Sequence, residues 1–92
     1  MPFYFKTEEQ QGGANSKGRW YTYISVTFYR CPSETAREKA KVESPKRNPY
    51  TGHHIFHTDV DAKDVPKPED ADGTYRNGKK TTIVDLSNLY PE

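Results

Sequence analysis

The sequence predicts an α+β domain: a small antiparallel β-sheet of about four strands with one α-helix packed on one face. Three observations predict it. The run Arg19 to Arg30 alternates in the manner of a strand, the segment after Pro32 carries helix start signals and stops before Pro45, and Asn77-Gly78 punctuates the C-terminal region as a hairpin turn. A chain of 92 residues suits one domain over 1–92.

Taking the elements in order, Phe3 and Phe5 alternate with Tyr4 and Lys6, so residues 2–8 read as a first strand. Gln10 to Gly18 reads as a loop, because Gly12-Gly13 and Asn15-Ser16-Lys17-Gly18 tolerate positive φ. Lys17 and Arg19 then stand near the tip of a first hairpin. In the second strand Trp20, Thr22, Ile24, Val26 and Phe28 share one side, and Tyr21, Tyr23, Ser25, Thr27 and Tyr29 share the other. The first side is expected to build the core beneath the helix. The tyrosine side is expected to stay open, joined by Tyr4 and Lys6 if Phe3 and Phe5 point inward.

Ser33 or Thr35 caps the helix, Thr35 and Glu38 have capping-box spacing, and acids fill the first turn. The helix runs to about Glu43, where Pro45 forbids continuation. Ala36 and Ala40, with Val42 or Thr35, form only a narrow apolar stripe, so the helix is expected to lie lightly on the sheet and expose Arg37, Lys39 and Lys41. Lys46 to Gly52 is a turn, and His53 to Val60 alternates as a third strand. Asp61 to Gly73 is an acidic connection whose Val65-Pro66-Lys67-Pro68 cannot be a central strand, since proline gives no amide hydrogen to a ladder. Arg76-Asn77-Gly78-Lys79 then suits a type I′ turn, and Lys80 to Leu86 is the last strand with Thr82, Val84 and Leu86 on one side. The tail from Ser87 is expected to cover a sheet edge.

Hydrophobic residues make up 32% of the chain and the mean hydropathy is -1.10, so the core must be thin. Seven Tyr, four Phe and one Trp supply much of it. The net charge of +1 argues against nucleic-acid binding by bulk electrostatics. Its distribution is uneven: the half up to Tyr50 is net basic and the half from Thr51 net acidic. Cys31 is the one cysteine, which removes an intramolecular disulfide and fits a reducing cytoplasm. No apolar run approaches the length of a membrane span.

The residue types favour binding over catalysis. Tyrosine and arginine are the side chains most enriched at interface hot spots, and tyrosine rings also stack on bases. The candidate partner-binding residues are therefore Lys17, Arg19, Tyr21, Tyr23, Tyr29 and Arg30 around the second strand, Lys46 and Arg47 after the helix, and Arg76, Lys79 and Lys80 at the hairpin. His53, His54 and His57 with Asp59 and Asp61 invite a metal reading, but on a strand His53 and His57 share one face while His54 points away. Solvated or partner-facing histidines are the favoured reading. Asp59 to Asp64 imitates a calcium loop poorly, because Lys63 takes the fifth position and Asp64 stands where glycine makes the turn. There is no phosphate-cradling glycine loop and no nucleophile elbow. Neither an enzyme nor a cofactor is expected.

The N-terminal run Met1 to Gln11, the stretch Arg19 to Lys41 and the length together resemble a phage-encoded anti-CRISPR protein directed at type I-F surveillance complexes. The resemblance implies a stoichiometric inhibitor acting in the host cell cytoplasm. Its partner would be the multisubunit, crRNA-guided complex, through protein subunits and guide RNA, and its effect would be to block target DNA binding and hybridisation. Under that reading the acids from Asp59 to Asp72 imitate phosphate charge while Arg and Lys side chains meet guide RNA. Two rivals come from other classes. One is a small nucleic-acid-binding module using an exposed Tyr/Arg sheet face, and the other a zinc-dependent regulator.

Overall fold

The computed structural model describes residues 2–14 and 17–90, without the side chains of Gln11, Ala14, Trp20, Tyr21 and Thr22. The expected α+β class is the one observed, with one helix packed against a sheet. Strand β1 (Phe3–Ala14) and strand β2 (Trp20–Cys31) form a long antiparallel hairpin, followed by helix α1 (Glu34–Glu43). Strands β3 (Ile55–Val60), β4 (Asp72–Arg76) and β5 (Lys79–Asp85) complete a five-stranded sheet in the order β3-β1-β2-β5-β4.

Two details differ from the expectation. The sheet has a fifth strand, the short β4 before the Asn77-Gly78 turn, and it is mixed because β5 runs parallel to β2. Parallel neighbours need a long crossover, and everything between Cys31 and Lys79 serves as one. The hairpin is also longer than expected. Gln10 to Ala14, read as loop, pairs with Trp20 to Ile24, whose aromatic and β-branched residues suit extended backbone. β3 pairs with β1 only as far as Glu9, and β5 pairs with β2 only from Ile24 onward, so the rest of the hairpin projects as a two-stranded arm. The molecule is accordingly elongated, 49 × 29 × 19 Å.

The largest correction concerns which face the helix covers. Phe5 pairs with Tyr29 and Phe3 with Cys31, so these residues lie on the tyrosine side of β2, and this is the side that receives α1. Ala36 and Ala40 settle on Phe5, Cys31 and Leu86, with Tyr29 and Tyr90 packed at the margin. A helix whose apolar stripe is two alanines can approach closely, and it lands where large rings fill the gap. Phe5 and Tyr29 stack at 4.8 Å. Ser33 caps the helix, its hydroxyl accepting from the Ala36 amide at 3.1 Å.

The aliphatic side of β2 is nevertheless buried at Val26, 2% exposed, and Phe28, 8% exposed, whereas Ile24 is exposed. Its cover is the connection from β3 to β4. Those strands are the two edges, about 19 Å apart at about 4.8 Å per strand, and residues 61–71 are long enough to cross the sheet. Pro66 lines a cleft with Lys79 and Thr81, and Thr81 pairs with Val26, so the crossing runs over the face opposite the helix. Two 3₁₀ turns, Ala62–Asp64 and Pro68–Asp70, carry it. Burying Val26 and Phe28 there contributes about 1.5–3 kcal/mol each.

Lys39 is exposed as expected, but the other two helix cations differ from expectation. Arg37 is largely covered: it donates to the Tyr4 carbonyl at 3.4 Å, pairs with Asp59 at 3.5 Å and stands 5.2 Å from the centre of the Phe3 ring. Lys41 pairs with Asp59 at 2.6 Å and with Glu38 at 2.7 Å. The tail docks beside the helix end instead of an edge, with the Tyr90 hydroxyl on the Glu43 carboxylate. Among the described residues no helix is long and apolar enough to cross a membrane.

Candidate interaction surface

Strand register decides where the basic residues gather. Glu9 faces Ile55 on one side and Ser25 on the other, Ser25 faces Lys80, Ile24 faces Lys79, and Lys79 faces Arg76. Arg47 bridges His54 and the Ile55 amide donates to the Lys46 carbonyl, so the Lys46–Arg47 segment, the middle of β2 and the β4–β5 turn lie level, at the end from which the arm projects. Lys17 and Arg19 are exposed where the arm turns. Arg30 does not belong to this group. It lies at the far end, where it meets Asp85 at 3.6 Å and donates to the Ser87 hydroxyl at 3.2 Å.

Lys46, Arg47 and Lys80 meet uncharged partners. Lys46 donates to the carbonyls of Lys41 and Ser44, the second at 3.1 Å, closing the C-terminal turn of α1 as a cation beside a helix dipole should. Arg47 donates to the Gly52 carbonyl at 2.6 Å. Lys80 sits over the Tyr75 ring, 5.7 Å from its centre. Arg76 is instead paired with Asp72 at 3.1 Å. That pairing and two contacts from Thr74 hold the Asp72 carboxyl below its ordinary value, the Thr74 amide being the leading cause. Asn77 at φ 53 and Gly78 at φ 75 form the turn that presents Lys79 and Lys80 to opposite faces of β5.

The tyrosines divide in a way that strand alternation does not show. Tyr29 belongs to the core margin against Phe5, so the open tyrosine platform expected on this face is not present at that position. Tyr23 lies beyond the helix end, edge-on to Tyr75 at 4.7 Å and 69°, and the Tyr75 hydrogen bond holds its hydroxyl above the ordinary phenol value. The side chain of Tyr21 lies outside the described residues. Tyr23, Tyr75 and Lys80 therefore form one amphipathic cluster on the sheet face. Residue type and alternation do not single out Tyr75, although its place beside the Asn-Gly turn puts it across from Lys80. Nor do they single out Tyr50, which is 95% exposed.

The histidines are dispersed. His53 Nδ1 contacts the Gln10 carbonyl at 2.6 Å, His54 packs edge-on to Phe56 at 4.6 Å, and His57 lies against the Ser44 hydroxyl at 2.9 Å. Burial, the leading cause, and the Lys46 charge hold His57 below its ordinary value. Among the described residues no three His, Cys, Asp or Glu side chains converge to hold a metal ion. Cys31 is wholly buried, and burial raises its thiol pKa, which leaves the thiolate scarce. The acids are split as well. Asp59 and Asp72 are engaged by cations, while Asp61, Asp64, Glu69 and Asp70 are exposed along the crossing segment.

No family model, curated protein or solved structure matches this chain.

Proposed function

We propose that this chain is a stoichiometric inhibitor that binds the type I-F crRNA-guided surveillance complex in the host cytoplasm and blocks target DNA binding and hybridisation. It acts by occupancy, with no turnover and no cofactor. The observation that carries this reading is the basic end, where Lys46, Arg47 and Lys80 rest on carbonyls and a ring and pair with no acid among the described residues. Such a surface meets phosphate or carboxylate. A chain of net charge +1 with exposed acids on its crossing segment suits a target that mixes protein, RNA and cationic DNA-binding grooves. The likeness of Met1 to Gln11 and Arg19 to Lys41 to type I-F anti-CRISPR proteins supports the choice of target.

The decisive experiment is target-duplex capture by purified surveillance complex with increasing amounts of the protein. Capture should stop near one protein per complex, and reversing both Lys79 and Lys80 to Glu should raise the amount needed about tenfold, equivalent to about 1.4 kcal/mol. Undiminished capture at excess protein refutes the proposal. The Tyr23–Tyr75–Lys80 cluster favours a second reading, direct binding of single-stranded nucleic acid. Equal affinity for naked oligonucleotides and for the assembled complex supports that reading instead.

A further inference from the structure

Loop 48–53 is built with unusual completeness around one side chain that takes no part in it. The Asn48 amide donates to the His53 carbonyl at 2.9 Å, and the Gly52 amide donates to the Asn48 carbonyl at 2.8 Å. The Asn48 Oδ1 accepts from the amides of Tyr50 at 2.8 Å and Thr51 at 3.1 Å, while its Nδ2 donates to Glu9 at 2.9 Å. Arg47 ties the Gly52 carbonyl, His53 ties the loop to Gln10 of β1, and Gly52 supplies the positive φ of 76° that the reversal needs. Pro49 adds a fixed φ. None of these bonds uses the Tyr50 ring, which stands 95% exposed at the tip.

An aromatic ring held in water on an ordered loop is binding area whose backbone ordering is already complete before a partner arrives. The Tyr50 ring stands out from the loop, 95% exposed, so its complement is a pocket. Lys46 and Arg47 flank the loop and donate to carbonyls, so an anionic rim is the matching charge. We infer that loop 48–53 is a preformed finger that seats Tyr50 in an acid-rimmed pocket of a partner protein. The inference rests on the proposed function in taking that partner to be a protein subunit of the surveillance complex.

The test compares the unmodified protein, Tyr50→Ala and Tyr50→Phe for binding to purified surveillance complex and to protein-free guide RNA. Tyr50→Ala should weaken binding to the complex about 30-fold, as loss of a hot-spot anchor does, while Tyr50→Phe stays within about threefold. Neither variant should shift the melting temperature or the affinity for guide RNA. Full-strength binding of Tyr50→Ala to the complex overturns the inference and leaves the proposed function standing. Weakened binding of Tyr50→Ala to protein-free RNA also overturns it, in favour of base stacking. Failure of the unmodified protein to bind the complex removes the proposed function and this inference together.

Discussion

Replacing Tyr29 by Ala separates the two possible placements of the helix. Were the tyrosine side of β2 open to solvent, truncation there would change stability by no more than about 0.5 kcal/mol. In the structure the ring stacks on Phe5 at 4.8 Å with 15° between planes, at the margin of the cluster formed by Phe5, Cys31, Ala36, Ala40 and Leu86. Full burial of a large aromatic makes its truncation cost about 3–5 kcal/mol. Tyr29 is only partly buried, so about 2–3 kcal/mol is expected, of which about 0.5–1.5 kcal/mol is the stacking itself. For a domain of this size that lowers the melting temperature by roughly 10–20 °C, readable by circular dichroism. Tyr29→Phe keeps the ring and should stay within about 0.5 kcal/mol of the parent. A double-mutant cycle with Phe5→Leu should return a coupling of at least about 0.5 kcal/mol. A Tyr29→Ala protein as stable as the parent, with no coupling to Phe5, refutes the placement of α1 on this face.

Two further outcomes follow from named groups. His57 has an ordinary value of 6.5 that burial lowers in the folded protein, so between that value and the lower folded one the unfolded chain binds more protons. Stability should therefore fall as pH drops from 6.5 through the folded pKa, and melting curves of His57→Asn should lose that slope; an unchanged slope refutes the assignment. Gly78→Ala places a side chain at φ 75° and should cost about 1 kcal/mol in urea unfolding, while a stable variant would show that the turn re-forms without it.

The elements were legible in the sequence because their signals are local. Ser33 three residues before an amide it caps, Pro45 after the last turn, and Asn77-Gly78 between short extended segments each act over a few residues, and each appears where it was expected. The candidate surface was only partly legible. Lys46, Arg47, Arg76, Lys79 and Lys80 do lie at one end, but Arg30 is carried to the other by the length of β2, and Tyr29 is taken into the core. Tyr75 becomes a partner of Tyr23 only because β5 pairs with β2, a contact that no local pattern reports.

Alternation along Arg19 to Arg30 determined by itself which side chains share a face, since the strand repeat is a property of the backbone. Charge pattern, turn residues and caps likewise set the α+β class and the positions of most elements. Which face receives the helix was decided only in three dimensions, by the Phe5–Tyr29 register and by the route of residues 61–71 across the opposite side. Both are long-range pairings. Their free energy comes from burying Phe5 and Cys31 under two alanines and Val26 and Phe28 under a proline-bearing crossing, and no window of neighbouring residues contains both partners.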